Sequence, residues 1–378
     1  MKRIYLHIGA HKTGTTAIQY FLWNNRKQLR KQSILYPDLG MGGYSHGLLA
    51  NVIKPNNQDS RLTEYHQRFE LEVLDSRFDT IVLSSEVFLE GLNVAAAVRE
   101  FLPRERCEVK IIVYLRNQAD WLESVFNEIV RDPYRRYTGD IPHMREYEQG
   151  LHDYERLLAP WIEQFGGEAM ELCPYEKARV DGGILKHLLQ LLGIKDHDAF
   201  DFSVDADNQN LRLHALASEF LRRVNRFPLL NNEYLQVVDD LQRITPSIGD
   251  QFGEKFCILS PQTVDDLRDK FASRNSELFS RYSRYGSEAL FPDREHETET
   301  PFAGDSLNQR VQHAIVEALS PKAMALLETI PKVRKRIPGK PFLPPPPQDQ
   351  EKRLNEIIFR QRFELRRLYE NTDRKADS

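Results

Sequence analysis

The sequence predicts an α/β fold in which a doubly wound, mainly parallel sheet is followed by a helical C-terminal half. Four short apolar runs predict strands that are buried on both faces, namely RIYLHI, TIVLS, VKIIVYL and EAMELC. Longer stretches with helical spacing lie between and after them, among them residues 17–29, 121–130, 154–165 and 184–192. Strands that alternate with helices favour a parallel sheet, which binds its ligands beyond the carboxyl ends of the strands.

The composition is that of a globular chain without a large charge imbalance. With 378 residues, 40% of them hydrophobic, the chain can bury a large core, which favours one large domain with an appendage. The 56 acidic and 52 basic residues leave a net charge of −4, so we expect no nucleic-acid partner and only a local anion site. We expect no signal or membrane-spanning segment. The widely spaced Cys107, Cys173 and Cys257 predict reduced thiols in a cytoplasmic protein.

Changes in composition divide the chain into four predicted segments. They are a main domain at 1–294, a helical appendage at 295–331, a basic and proline-rich linker at 332–350, and an amphipathic helix at 351–378. From Pro331 onward, 13 Lys and Arg residues stand against 7 Asp and Glu residues. The last helix is expected to pack on its own domain or on a second copy of the chain, or else to bind a partner together with the proline run.

One stretch, LHIGAHKTGTTAIQYFL at residues 6–22, combines a strand, a glycine-containing turn and a helix. Gly9 and Gly14 stand five residues apart at the turn, which lets backbone N–H groups surround a phosphate-like anion at a helix N-terminus. The stretch is not a Walker A loop, because Thr15 follows Gly14 where that motif has lysine, and the lysine here is Lys12. No predicted strand ends in the aspartate that usually holds magnesium.

A transferring sulfuryl group would explain both differences from a kinase loop. It carries less negative charge than a terminal phosphoryl group, so a lysine and hydroxyl donors can replace the metal. In YLRNQADWLESVF, Arg116 ends a strand, Asp120 and Glu123 predict a capping box, and Ser124 falls in the first turn of the next helix. Arg116 and Ser124 are then expected to converge on a second phosphate. Alternatively, Arg116 closes the strand with an ion pair and Ser124 is an ordinary helix residue.

The two motifs together resemble those of sulfotransferases that use 3′-phosphoadenosine 5′-phosphosulfate (PAPS). HKTGTT is similar to the family's 5′-phosphosulfate loop and RNQADWLES to its 3′-phosphate motif, and FGGEAMELCPYEK with GGILKHLLQLLGI resembles a later strand and helix. The resemblance covers roughly residues 1–290 and is nearest to bacterial carbohydrate-type members. The glycine-rich C-terminal loop of the cytosolic small-molecule enzymes is absent. The resemblance implies a P-loop-type fold with PAPS as donor, no metal, and release of adenosine 3′,5′-bisphosphate.

The resemblance also implies roles for single residues. Lys12 is expected to neutralise charge on the bridging oxygen as the S–O bond breaks. Tyr175 is expected to pack on adenine, or otherwise to cap the core. The expected donor-binding residues are Gly9, His11, Lys12, Thr13, Gly14, Thr15, Thr16, Arg116, Ser124 and Tyr175.

An acceptor hydroxyl needs a general base, and the sequence offers two candidates. Glu86 lies just past the strand TIVLS and should face the same crevice as the loop, whereas His46 lies in a glycine-rich loop after the first helix. We prefer Glu86, although it could be a helix-start residue and His46 a helix cap. The segment 131–147 predicts a loop that binds a sugar or an acidic polymer, or is simply solvated.

Three classes of function stay open at the level of sequence. A sulfotransferase binds adenosine 3′,5′-bisphosphate without metal and acts on a carbohydrate or another hydroxyl-bearing acceptor. A P-loop kinase binds ATP with Mg²⁺ instead. A non-catalytic interaction protein uses its basic, proline-rich tail and binds neither nucleotide.

Overall fold

A five-stranded parallel sheet organises the N-terminal part of the chain, as the sequence predicts. The strands are β1 (Lys2–His7), β2 (Ile34–Leu35), β3 (Thr80–Ser84), β4 (Cys107–Leu115) and β5 (Met170–Pro174). Their order across the sheet is β2-β3-β1-β4-β5. The chain leaves β1 toward one edge and later crosses over it to β4. The connections therefore reverse direction between β1 and β4, which is where open α/β sheets bind ligands.

This computed structural model describes residues 1–55, 61–91, 93–180, 182–203, 213–226, 229, 231–252, 258–286, 291, 302–303, 306–307 and 309–325. Residues Met1–Met324 form one compact unit, and Ala325–Ser378 form a second. The predicted linker at 332–350 and the predicted helix at 351–378 lie outside the described residues, as does Cys257.

The described part of the chain has helices on both faces of the sheet and further helices that follow it. They are α1 (Thr15–Asn24), α2 (Arg26–Lys31), α3 (Gly47–Ile53), α4 (Arg61–Phe69), α5 (Val94–Phe101), α6 (Gln118–Arg131), α7 (Arg145–Glu148), α8 (Tyr154–Phe165), α9 (Tyr175–Val180), α10 (Ile184–Leu191), α11 (Ala215–Val224), α12 (Asn231–Phe252), α13 (Pro261–Tyr282) and α14 (Gln309–Ala318). Successive strand residues point to opposite faces. Ile111 and Val113 therefore join a core with α5 and α8, whereas Ile112 and Tyr114 join one with α1 and α10.

The predicted strands are confirmed, and two local predictions need correction at the edge of the sheet. The sequence pattern missed β2, since a two-residue strand is too short to show a period. The helix predicted at 17–29 is interrupted at Asn25. Its side chain donates to the Asp201 carbonyl at 2.8 Å and accepts from the Asp201 N–H at 2.8 Å, which separates α1 from α2.

The start of α6 also differs from the prediction. Asn117, not Asp120, caps this helix, and its Oδ1 accepts the N–H of Ala119 at 3.0 Å. Glu123 is fully buried and accepts the N–H groups of two residues outside the helix, at 2.8 and 3.0 Å. The capping box is therefore wrong. Because the helix begins earlier, Ser124 falls in its second turn and not in its first.

The C-terminal half of the described chain is helical, as predicted. α11, α12 and α13 follow the sheet, and α14, within the predicted appendage at 295–331, packs on α11 and α12 in the first unit. A short hairpin of β6 (Phe302–Ala303) and β7 (Ser306–Leu307) precedes α14. None of the helices in the described ranges combines the length and apolar character that crossing a bilayer requires.

Candidate active site

The loop between β1 and α1 takes a tight backbone path. Gly9, Lys12 and Gly14 have positive φ angles of 43°, 65° and 79°. A Cβ atom at Gly9 would lie 2.5 Å from the Thr15 side chain, and one at Gly14 would lie 3.0 Å from Ile184. Both positions therefore need glycine, as the sequence spacing suggested. Alternation between right- and left-handed backbone conformations is the geometry that turns successive N–H groups toward one anion.

Two side chains hold the carbonyl groups of this loop from outside. The Trp121 indole donates to the His11 carbonyl at 2.8 Å, and Arg116 Nη1 donates to the Lys12 carbonyl at 3.4 Å. In a trans peptide the N–H points opposite to the C=O. The N–H groups of Lys12 and Thr13 are therefore turned away from these two donors.

The N-terminus of α1 continues the same surface. Gly14 is its cap residue, with φ 79° and ψ 18°, and supplies no side-chain cap for the first helical N–H groups. Thr13 is fully buried and donates through Oγ1 to the Ala10 carbonyl at 2.6 Å, which closes the loop. Thr15 is buried, whereas Thr16 is exposed. The helix end therefore offers N–H groups and partial positive charge to an anion.

Arg116 lies beside the loop at the carboxyl end of β4. Its side chain is only 13% exposed, and its Nε lies 3.5 Å from Oε1 of Glu176. Burial raises the pKa of Glu176, although the guanidinium opposes this rise. Among the described residues, Nε of Arg116 and Oε2 of Glu176 have no hydrogen-bond partner. Arg116 therefore keeps hydrogen-bonding capacity that an anion can use.

Tyr175 is the first residue of α9 and packs against the loop from the β5 side. Its ring centroid lies 5.4 Å from the guanidinium carbon of Arg116 and 5.7 Å from that of Arg179. Its ring edge would lie 3.4 Å from a Cβ atom at Gly14. The half-buried ring thus borders both the glycine of the loop and the arginine after β4.

α6 turns one face toward the loop. Trp121, Ser124 and Glu128 are spaced by three and four residues, so they share that face. Glu128 Oε1 lies 2.7 Å from Nζ of Lys12, and the two side chains are 44% and 19% exposed. Ser124 lies between the two residues that contact the loop. The lysine singled out in the sequence is therefore held in an ion pair in this structure.

Glu86 follows β3 and is the first residue of a short 3₁₀ helix, Glu86–Leu89. Its half-buried carboxylate accepts a hydrogen bond from Nε2 of Gln19 at 2.7 Å. Gln19 lies one turn after the start of α1, so this bond joins Glu86 to the helix that follows the loop. The residue is thus both a helix-start residue and a carboxylate near the loop between β1 and α1.

His11 connects the loop to a second carboxylate. Its Nε2 lies 3.2 Å from Oε1 of Glu90, whose other oxygen lies 3.2 Å from Nζ of Lys54. Partial burial lowers the pKa of His11, but the bond to Glu90 and the nearby Glu86 and Glu128 outweigh it and raise the pKa overall. The imidazole is therefore more readily charged than an ordinary histidine and adds positive charge beside the loop.

His46 has a different environment from the one expected of a substrate-facing base. It is fully buried, its Nδ1 accepts the N–H of Ser84 at 3.1 Å, and its Nε2 donates to the Pro37 carbonyl at 3.1 Å. These bonds require the neutral form protonated on Nε2. Burial lowers its pKa to about 4. His46 is the N-cap residue of α3 by position, but its side chain caps no N–H group of that helix, and its burial keeps it from acting as an accessible base.

In the segment 131–147, two arginines that the sequence offered for ligand binding bond to other groups of the protein. Arg135 pairs with Glu146 at 2.7 Å. Arg136 donates to the carbonyls of Pro133 and Leu229 and to the side chain of Asn231. These two arginines therefore serve the protein's own structure, which weakens the expectation that the segment binds an acidic polymer.

Sequence reasoning did not name several residues that lie at the site. Trp121, Glu128, Gln19, Glu90 and Glu176 contact predicted site residues from other elements. Only Glu128 had a usable signal, since it lies four residues after Ser124 on the same helix face. Within the described residues, no three His, Cys, Asp or Glu side chains cluster as metal ligands do.

Comparisons with known proteins give the following similarities. No known protein-family profile matches the chain. An uncharacterized protein of Archaeoglobus fulgidus is 26% identical over 251 residues, covering 66% of this chain and 66% of that protein, so the chain spans about two thirds of that relative's length. A sulfotransferase of known crystal structure from Alicyclobacillus acidocaldarius matches 60% of this chain and 94% of its own, with a TM-score of 0.38 and 17% identity.

Proposed function

We propose that this protein is a sulfotransferase that moves a sulfuryl group from PAPS to an acceptor hydroxyl, with a carbohydrate as the acceptor class. The contact between Arg116 and the Lys12 carbonyl, at 3.4 Å, carries this proposal. It brings a loop suited to a phosphosulfate next to an arginine suited to a second phosphate. A nucleotide with phosphate groups at both the 3′ and 5′ positions of its ribose fits such a pair. The resemblance of the two sequence motifs to those of PAPS-dependent enzymes supports the same donor.

The donor's 5′-phosphosulfate binds in the loop between Gly9 and Thr16, where His11, Lys12, Thr13, Gly14 and Thr15 contribute N–H groups, hydroxyls or charge. Arg116 and Ser124 hold the 3′-phosphate, and Tyr175 packs on the adenine. The half-buried Tyr175 ring, which borders both Gly14 and Arg116, is consistent with this placement of the base. No metal is needed, because Lys12 and the helix N-terminus supply positive charge.

In the transfer, the acceptor oxygen bonds to sulfur as the bond between sulfur and the bridging oxygen breaks. Lys12 donates a hydrogen bond to that leaving oxygen, and adenosine 3′,5′-bisphosphate departs with the electron pair. The acceptor proton passes to Glu86, whose carboxylate Gln19 holds in place. His46 is no longer a candidate for this role, because both its ring nitrogens bond to the main chain.

A carbohydrate acceptor is consistent with a group of aromatic side chains on α1 and in the loop before α3. Tyr20 and Tyr44 pack edge to face with ring centroids 5.1 Å apart, and Trp23 lies 6.2 Å from Tyr44. Aromatic rings with a polar group at one end suit a sugar, which presents both apolar C–H faces and hydroxyls.

Isothermal calorimetry with two nucleotides tests the proposal. Adenosine 3′,5′-bisphosphate in EDTA is expected to bind, and ATP with Mg²⁺ is expected to bind much more weakly. The reverse result would identify a P-loop kinase. Binding of neither nucleotide would leave the non-catalytic interaction protein as the explanation.

Two predictions about cell location and assembly belong to this proposal. Cys107 and Cys173 are buried free thiols, which suits a cytoplasmic enzyme.

The C-terminal residues 332–378 are proposed to mediate self-association while the donor site folds without them. Truncation after Pro331 should therefore preserve bisphosphate binding and shift the protein to a smaller species in analytical ultracentrifugation. Loss of folding on truncation would instead make the tail part of the core.

A further inference from the structure

Lys12 of the anion loop is paired with a carboxylate in this structure. Nζ of Lys12 lies 2.7 Å from Oε1 of Glu128 on α6. Trp121, two helical turns before Glu128, bonds the carbonyl of His11. The same helix face therefore holds both the backbone of the loop and the charge of its lysine.

The two halves of Lys12 are constrained differently. Its backbone is held with φ 65°, and its carbonyl accepts a hydrogen bond from Arg116. Its side chain is a flexible four-carbon stem with a compact charge at the end. The ammonium group can therefore turn from Glu128 to an anion in the loop while the backbone stays in place.

We propose that Glu128 is a positioning residue that holds Lys12 when the donor is absent, and that the donor's phosphosulfate displaces Glu128 from Lys12 on binding. This inference rests on the proposed function, since it takes the anion to be that of PAPS. Two negative groups compete for one ammonium, so Glu128 lowers the affinity for the donor. A purely structural ion pair would have the opposite effect, because removing it would loosen the loop and weaken binding.

Calorimetry of the full chain with adenosine 3′,5′-bisphosphate distinguishes a competing Glu128 from a purely structural one, because removing Glu128 raises the affinity in the first case and lowers it in the second. Glu128→Gln is expected to tighten binding about two- to fivefold, the range of a partly exposed ion pair. In a Lys12→Met background the same change should no longer tighten binding, because the ammonium group for which Glu128 competes is gone. Glu128→Asp, which keeps the charge on a shorter side chain, should tighten binding less than Glu128→Gln.

Glu108→Gln is the matched control. Glu108 is 39% exposed and pairs with Arg3 at 3.2 Å, at the opposite end of β4 from Arg116. The Glu108→Gln substitution removes the same charge and a similar ion pair as Glu128→Gln does. Bisphosphate binding by the Glu108→Gln variant should stay at the wild-type level.

Unchanged or weaker binding by Glu128→Gln would overturn the inference, as would an equal gain in the Lys12→Met background. If the wild type itself does not bind the bisphosphate, the proposed function falls and this inference falls with it. If the wild type binds and only the Glu128 variants fail to tighten, the proposed function stands without the displacement step.

Discussion

The strands on either side of β1 end in opposite kinds of polar surroundings. After β4, Arg116 lies beside Glu176 of α9; both side chains are partly exposed, and one polar atom of each has no hydrogen-bond partner among the described residues. At the end of β3, Ser84 bonds His46 through its main chain and shares a 2.7 Å hydrogen bond with His7 through its hydroxyl, and all three side chains are fully buried. Nε2 of His7 also has no hydrogen-bond partner among the described residues, but the bonds of Ser84 and His46 join strands and loops, whereas Arg116 lies beside the loop between β1 and α1.

The difference shows that residue type alone does not identify a catalytic group. Burial lowers the pKa of both His7 and His46 to about 4, so both are neutral at physiological pH. His11 is partly exposed beside Glu90, and its pKa is raised. The same side chain is therefore a structural element beside β3 and a source of positive charge on the loop.

Glu86 gives the sharpest test, because it lies at the end of β3 yet is proposed to act in catalysis. Glu86→Gln is expected to lower turnover by at least ~10²-fold, since the amide cannot accept the acceptor's proton. Bisphosphate affinity should stay near wild type. Turnover is measured with the best acceptor found for the wild type, and Glu108→Gln, at the far end of β4 from the loop, serves as the control carboxylate. A loss of only a few-fold would mean that alignment of the acceptor carries the rate.

Arg116→Ala tests the group of residues after β4 directly. The variant is expected to weaken adenosine 3′,5′-bisphosphate binding by on the order of 1.5–3 kcal/mol, as for a hydrogen bond to a charged group. Adenosine 5′-phosphosulfate, which lacks the 3′-phosphate, should bind almost as before in calorimetry. Arg179→Ala, which removes the other arginine over Tyr175, should change neither. Equal weakening of both ligands would make Arg116 a structural residue of the loop.

His46→Asn tests the buried group at the end of β3 through the pH dependence of the free energy of unfolding. The unfolded chain takes up a proton at this histidine below pH about 6.5, but the folded chain does so only near pH 4. Its contribution to the free energy of unfolding is therefore fully present above pH 6.5 and falls by roughly 2 kcal/mol by pH 5. Urea unfolding should show that the difference in free energy of unfolding between wild type and variant is smaller at pH 5 than at pH 7.5 by that amount. His66→Asn, on the surface of α4, controls for the loss of one imidazole, and a pH-independent gap would contradict the prediction.

Trp121→Phe has the smallest expected effect and tests how the loop is oriented. The change keeps a buried ring but removes the N–H that bonds the His11 carbonyl. Losing that bond should cost about 1 kcal/mol in bisphosphate binding, measured by calorimetry. Trp161→Phe, a similarly buried change on α8, should leave binding unchanged. If both variants bind like the wild type, the Trp121 bond does not orient the loop.

Much of the fold and part of the site were predictable because they depend on local patterns. Apolar runs marked four strands of the sheet, and two glycines with a lysine between them marked the tight loop between β1 and α1. The start of α6 was misplaced because Asn117 and Asp120 are both good helix caps in sequence. Only the fold shows that Glu123 is buried against residues 258 and 259.

The sequence by itself determined the parallel sheet, the loop between Gly9 and Gly14, and the placement of Arg116 after a strand. The tertiary structure decided which polar groups are available to a ligand. His46 meets Ser84 across 38 residues, and Arg116 meets the Lys12 carbonyl across 104. Periodicity acts over a few residues, but the charge and hydrogen-bonding state of a side chain depend on what surrounds it in space. Those surroundings make His46 structural and pair Lys12 with Glu128.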